Sequence, residues 1–243
     1  MVTPGDALSP LIVAAAERAG LTIRDGDVLI LAQKIVSKAE GRYVDLRAVE
    51  PSARARELAE RLGKDPRHVE VVLSESNEIV RAERQILVVE NRHGIVMANA
   101  GVDHSNVSQE GGSERVLLLP VDPDGSAARL RAEIRDLTGA TVAVLINDSV
   151  GRAWRNGVVG LAIGAAGFPS LVDRRGSPDL FGRTLEVTEI AMADELSAAA
   201  SLLMGQADEG SPVVLARGFR PPGDAPDRPA RDLVRPREID LFR

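Results

Sequence analysis

The stretch Val142-Ala143-Val144-Leu145-Ile146-Asn147-Asp148-Ser149 decides the fold class. Its five apolar residues read as a buried strand, and the strand runs straight into a carboxamide, a carboxylate and a hydroxyl. In open α/β sheets the C-terminal ends of strands are where ligands bind. A second strand fits the same architecture. An Ala-rich helix over residues 8–19 is followed by the turn at Gly26-Asp27 and the apolar run Val28-Leu29-Ile30-Leu31-Ala32, so a βα-type layout begins near the N-terminus.

Another polar turn, Asn99-Ala100-Gly101-Val102-Asp103-His104-Ser105-Asn106, follows the short strand 95–98. Gly101 lets backbone approach closely, and Asp103 offers the hard oxygen that divalent Mg or Mn prefers. If this turn and the Asp148 segment converge, Asp103 and Asp148 hold one or two cations; taken singly, each is an ordinary turn or cap residue. His104 has two readings, metal ligand or base against exposed loop residue. Asn106 either orients a ligand or closes an Asx turn. His68 and His93 read as surface residues.

The 243 residues carry 30 Lys and Arg against 36 Asp and Glu, a net charge of −6, with 44% hydrophobic residues and no cysteine. That is enough chain for a sizeable core in one large or two small domains. The acidic balance argues against a phosphate-backbone footprint, so nucleic acid is not an expected partner. Without cysteine, disulfides, iron–sulfur clusters, thiolate zinc sites and a cysteine nucleophile are excluded. No apolar run approaches the roughly 20 residues of a membrane span, and the N-terminus lacks signal-peptide character, so a cytoplasmic location is expected.

Only Lys34, Lys38 and Lys64 among the basic residues are lysine, and two of them lie in Gln33-Lys34-Ile35-Val36-Ser37-Lys38-Ala39-Glu40-Gly41. Where arginine is the default cation, lysine suggests a compact point charge of the kind phosphate sites use; the other reading is chance at a solvated strand end. Arg152 and Arg155 flank the single tryptophan, Trp154. They either reach an anionic substrate group or stack on the indole. Ser149 lacks a Gly-x-Ser-x-Gly context, and no Walker lysine motif occurs.

Between these segments the spacing predicts helices over 52–62, stopped by Gly63, and around 67–73. Strands are predicted at 86–90 and 95–98, paired through Asn91-Arg92-His93-Gly94. Residues 110–114 read as mobile, and residues 116–120 as an apolar run. A helix over 127–137 is capped near Asp122 and ends at Gly139. Glycines 157, 160, 164 and 167 predict close backbone packing. Residues 185–188 alternate as a strand, 190–204 form an amphipathic helix capped by Gly205, and 206–211 are a polar loop before the strand 212–216. The Pro- and Arg-rich stretch 217–243 reads as an extended tail laid on the surface or across a partner.

Lys34-Ile35-Val36-Ser37-Lys38-Ala39-Glu40-Gly41-Arg42, Asn99-Ala100-Gly101-Val102-Asp103 with Ser105-Asn106-Val107, Leu118-Leu119-Pro120-Val121-Asp122-Pro123-Asp124, and Asp148 with Gly151-Arg152-Ala153-Trp154-Arg155-Asn156-Gly157 together resemble the coenzyme F420-0:L-glutamate ligases, or γ-glutamyl ligases. The resemblance runs from about residue 4 to the C-terminus, and Val187-Thr188-Glu189, Ala193-Asp194-Glu195-Leu196 and Leu203-Met204-Gly205 extend it. It implies a mixed α/β fold of two intertwined subdomains, one ligase-type domain over 1–243, and a homodimer. It also implies GTP-driven addition of L-glutamate to the terminal carboxylate of the deazaflavin precursor F420-0, with two divalent Mg or Mn ions and room for a monovalent cation.

By the same resemblance Asp103 and Asp148 would hold the first metal, with Ser149 and Gln206 at the second. Gln33, Lys34, Lys38 and Asn106 would contact nucleotide, as would the loop Met204-Gly205-Gln206-Ala207-Asp208-Glu209-Gly210-Ser211. Arg152 and Arg155 would hold the substrate, and Asp103, Asp148 and Lys38 would carry the chemistry. Two departures stand out. Pro4-Gly5-Asp6 matches the stretch after an N-terminal strand that relatives usually have, and Gln206 stands where some relatives carry Glu. Some relatives also add a C-terminal flavin-reductase-like domain. Two other readings use the same residues: a non-catalytic nucleotide- or deazaflavin-binding paralogue, and a two-metal phosphohydrolase.

Overall fold

A computed structural model describes residues 1–107, 114–222 and 225–240. The expected mobile segment at 110–114 lies outside them except for Glu114. The chain opens with α1 (Leu8–Arg18), β1 (Val28–Ala32) and α2 (Gln33–Ala39), then β2 (Tyr43–Asp45). Next come α3 (Ala53–Leu62), α4 (Pro66–Ser74), and the strands β3 (Ser76–Glu83), β4 (Ile86–Asn91), β5 (Val96–Ala98) and β6 (Arg115–Leu117). The last part contains α5 (Pro123–Thr138), β7 (Ala143–Arg152), β8 (Arg155–Ala166), β9 (Val172–Asp173), β10 (Glu189–Ile190), α6 (Met192–Met204) and β11 (Val213–Ala216).

One sheet has the order β11-β1-β7-β8, with β1 and β7 parallel and both outer pairs antiparallel. Alternate residues of its central strands are buried on opposite faces. Leu29, Leu31, Val144 and Ile146 pack with α1 and α5, while Val28, Ile30, Ala143 and Leu145 pack with α6. Burial on both sides is why these strands are unbroken apolar runs. A second core, built from α3, α4, β4 and the Val116–Leu118 region, belongs to chain inserted between α2 and α5. There β3, β4 and β5 form an antiparallel sheet, as the Asn91–Gly94 turn predicts for β4 and β5. The mixed α/β class is therefore as expected.

Caps and turns match their residues. Ser52 accepts from the Ala55 N–H at the start of α3, Gly63 ends it at φ 63, and Asp122 caps α5 through the Gly125 N–H. A Cβ on Gly164 would lie 2.5 Å from the Pro123 carbonyl oxygen, so α5 sits directly on β8 there.

Several expectations need correction. The strand bearing Asp148 does not end there: β7 continues to Arg152 and folds back as β8, with Trp154 in the turn at φ 58. The polar residues resemble a terminus because β1, their neighbour on one side, stops at Ala32, leaving that edge of β7 open. Gln33–Ala39 is a helix rather than a strand end. β3 is absent from the sequence reading because its residues are mostly polar and exposed; main-chain pairing with β4 makes it a strand. Residues 185–188 are not a strand. Here the Leu185 carbonyl accepts from the Gly176 N–H while the Leu185 N–H donates to the Ser177 carbonyl across a turn-rich excursion, and regular pairing is limited to Glu189–Ile190. His68 is buried and His93 half-buried, because α4 turns His68 inward with Val69 and Val72.

The C-terminal stretch lies on the body of its own chain and contains short 3-10 turns at Ala230–Leu233 and Arg237–Ile239. Arg217 pairs with buried Asp27, Arg231 with Asp124, and Arg237 with Glu78. Among the described residues no helix is long and apolar enough to cross a membrane.

Candidate functional site

The parallel register sets Ala32 opposite Asn147, so the next residues along, Gln33 at the start of α2 and Asp148 on β7, become neighbours at the same end of the sheet. Gln33 is buried. Its Oε1 accepts from Ser37 Oγ at 2.9 Å, and its amide side chain hydrogen-bonds Asp148. Lys34 and Lys38, one helical turn apart on α2, share a face. Lys34 Nζ lies 2.8 Å from Asp103 Oδ2 and donates to Ser105 Oγ at 2.6 Å, while Lys38 Nζ donates to the Asn106 carbonyl at 2.6 Å.

The Asp103 turn is held from both sides of its main chain. Asp103 exchanges two backbone hydrogen bonds with Leu117, at 3.0 and 2.9 Å. The Ser105 N–H and Oγ both donate to its carboxylate, at 2.7 and 2.9 Å. The backbone is unusual: Asn99, Ala100 and Asn106 have φ of 52, 54 and 55. Each is a left-handed conformation that costs an L-residue on the order of 1 kcal/mol. At Gly101, φ 75, a Cβ would lie 2.8 Å from Leu119 Cδ1, so only glycine passes there.

The third wall is the loop after α6. Buried Asn147 donates to Ser201 Oγ at 3.1 Å and lies against Met204, which fixes the end of α6 on β7. Gln206 Oε1 then accepts from Ser149 Oγ at 2.7 Å, and Asn106 Nδ2 donates to the Ala207 carbonyl at 3.1 Å. Asp208, Glu209, Gly210 and Ser211 are exposed along the outer lip, with Glu209 accepting from the Ala207 N–H.

The structure thus brings Gln33, Lys34, Lys38, Asp103, Asn106, Asp148, Ser149 and the 204–211 loop to one place. Arg152 and Arg155 stand apart from it at the far end of the hairpin, pairing with each other across the strands; four residues along a strand is about 13 Å. Ser105 and Asn147 are organising residues to which the sequence reading gave no role. The hydroxyl two positions after Asp103 carried the signal for Ser105, since that spacing makes a side-chain turn.

Burial pushes the Asp148 carboxyl up to about 6; the Asp103 charge adds to this, and the Ser149 N–H, Lys34 and Gln33 oppose it. Asp103 is also crowded, but Lys34 and Ser105 hold it below the ordinary carboxylate value. Burial, with the charge of Lys34, lowers Lys38. An added cation beside Asp148 would offset the burial penalty on its ionised form. Two carboxylates, a hydroxyl and a carboxamide oxygen form an all-oxygen donor set, which suits Mg or Mn and fits neither a soft nor a thiolate-bound metal. Among the described residues no three His, Asp or Glu side chains cluster, so such an ion would keep water or ligand oxygens in its shell.

Residues 1–218 match the family F420-0:Gamma-glutamyl ligase. The chain belongs to that family. Membership makes this γ-glutamyl ligase relative an enzyme of the ligase class. It is 47% identical, over its full length and 95% of the other chain, to a protein named Coenzyme F420:L-glutamate ligase from Methanothermobacter thermautotrophicus. It is 49% identical to one of the same name from Methanopyrus kandleri, over its full length and 93% of that chain. A third, from Methanocaldococcus jannaschii, is 48% identical over 91% of this chain and 86% of the other.

Proposed function

We propose that the protein is a cytoplasmic, GTP-dependent ligase that joins L-glutamate to the terminal carboxylate of coenzyme F420-0, working as a homodimer. The observation that carries this reading is the full-length identity to proteins of that name in a chain whose two lysines, two carboxylates and 204–211 loop meet at one sheet end.

The F420-0 carboxylate oxygen attacks the γ-phosphorus and GDP leaves. The glutamate amine then attacks the resulting acyl carbon, phosphate departs, and the nitrogen gives up a proton to solvent. Both steps put negative charge on phosphate oxygens, so positioned positive charge contributes most. Lys34 and Lys38 supply it from a helix fixed by the sheet. Two divalent cations held by Asp103, Asp148, Ser149 and Gln206 would neutralise the phosphates and orient them. Asn106 and the 204–211 loop would hold the nucleotide, and Arg152 and Arg155 an anionic part of F420-0 further along the hairpin.

The test is mass spectrometry after incubation with F420-0, GTP, Mn or Mg and L-glutamate. Gain of one or more glutamyl units is expected, and their number counts the additions. Phosphate release that is indifferent to glutamate would replace this reading with a phosphohydrolase; binding with no phosphate release would replace it with a non-catalytic paralogue.

A further inference from the structure

The left-handed residues Asn99, Ala100 and Asn106 bracket Asp103, and such backbone persists only where its surroundings over-determine it. Leu117 and Lys34 account for Asp103 itself. Two side chains from the α3–α4 region reach the rest of the turn. Lys64, in the connection, donates from Nζ to Asn99 Oδ1 at 3.4 Å. His68, in the first turn of α4, stacks on His104 with ring centroids 5.2 Å apart and planes inclined by 22°.

Neither residue is adventitiously placed. Asp65 caps α4 by accepting from the Arg67 N–H at 2.8 Å, Pro66 starts the helix, and His68 is buried beside Val69 and Val72 in the second core. His104, by contrast, is exposed, so the stack joins a fixed ring to a ring on the turn.

We infer that Lys64 and His68 are positioning residues, which act through Asn99 and His104 to hold the Asp103–Asn106 turn where it meets Lys34 and Lys38. This rests on the reading that the turn forms part of a metal and nucleotide site. Residues that orient a first ligand shell change metal affinity about 10–100-fold when removed, whereas core residues that only stabilise the fold do not.

The experiment uses the full chain, Mn2+ alone as the probe for binding, and GTP in turnover. Lys64→Met and His68→Ala should each weaken Mn2+ binding and raise KM for GTP by about 10-fold, with a smaller change in kcat. His68→Phe, which keeps a ring, should restore Mn2+ affinity to near wild type. Val69→Ala, equally buried on the same helix, should lower stability and leave Mn2+ affinity alone. Unchanged Mn2+ binding in Lys64→Met and His68→Ala overturns the inference, as does an equal weakening in Val69→Ala. If wild type binds Mn2+ but does not join glutamate to F420-0, the proposed activity falls and the positioning test still reads out. If wild type binds no Mn2+, the site reading fails and this inference with it.

Discussion

Lys34 Nζ sits 2.8 Å from Asp103 Oδ2, and the pair joins a helix that follows one strand to a turn in the inserted second core. A point cation, rather than a planar guanidinium, bonds a carboxylate and the Ser105 hydroxyl together. Lys34→Met leaves the two carboxylates without their nearest cation. We expect kcat/KM for GTP to fall by about 100-fold, equivalent to about 2.7 kcal/mol. Lys34→Arg should restore little of it, because the fork cannot replace a compact ammonium. Steady-state kinetics at saturating Mg decide this; full activity in Lys34→Met would remove Lys34 from the site.

Asp148 should show opposed effects on stability and activity. Its carboxyl is raised to about 6 from an ordinary 3.8, first by burial and then by Asp103. The folded state therefore binds more protons than the unfolded between those values. In the metal-free protein this group's contribution grows more favourable as pH falls from about 6 toward 3.8, and it opposes folding above 6. Asp148→Asn should stabilise the metal-free protein at neutral pH by about 3 kcal/mol while abolishing turnover. Urea denaturation in EDTA at pH 7.5 measures the first. A less stable variant would show that the carboxylate has compensation the geometry does not reveal.

His68 gives a pH dependence of the other sign. Burial, reinforced by His104 and Lys64 and opposed by Asp65, lowers it to about 4. A histidine whose folded value lies below its unfolded 6.5 stays neutral on folding, so its share of stability is complete above 6.5 and is lost as pH falls through the window to about 4. The loss is about 3 kcal/mol. His68→Phe removes the titrating group, and denaturation midpoints between pH 7 and 4.5 should then be flatter than in wild type. Parallel curves would mean that folding leaves the His68 imidazole's proton affinity unchanged.

The division between what the sequence told and what it hid follows the physical source of each signal. The β1 and β7 runs were legible because burial on two faces demands uninterrupted apolar residues, and the caps at Ser52 and Asp122 because a side chain closes a local hydrogen bond. β3 was hidden, since its pairing is main-chain and its side chains are mostly polar and exposed. The convergence of Asp103 on Asp148 was not locally encoded either: it depends on the parallel register of β1 with β7 and on the Asp103–Leu117 bridge, residues far apart in the chain. The families of residues around each were visible only by resemblance. Arg152 illustrates how sequence spacing misleads on distance, since four residues from Asp148 along an extended strand place it further down the hairpin rather than beside the carboxylate.

The last expectation concerns Gly160, which sits on β8 opposite Ser149. A Cβ built there would lie 2.2 Å from Ser201 Oγ, 2.4 Å from Asn147 Oδ1 and 2.5 Å from the Ser197 carbonyl oxygen. The last of these is backbone and cannot rotate away. Gly160→Ala must therefore push α6 off the sheet, breaking the Asn147–Ser201 hydrogen bond and carrying Gln206 away from Ser149. Overpacking of this kind costs about 1–3 kcal/mol, and we expect the thermal midpoint and kcat/KM to fall together. Gly157→Ala, on β8 at the register irregularity beside the hairpin turn, where a Cβ meets nothing within 4 Å, controls for a strained backbone alone: it should lower stability and spare the site. If Gly160→Ala loses stability yet keeps full activity, the end of α6 does not position Gln206.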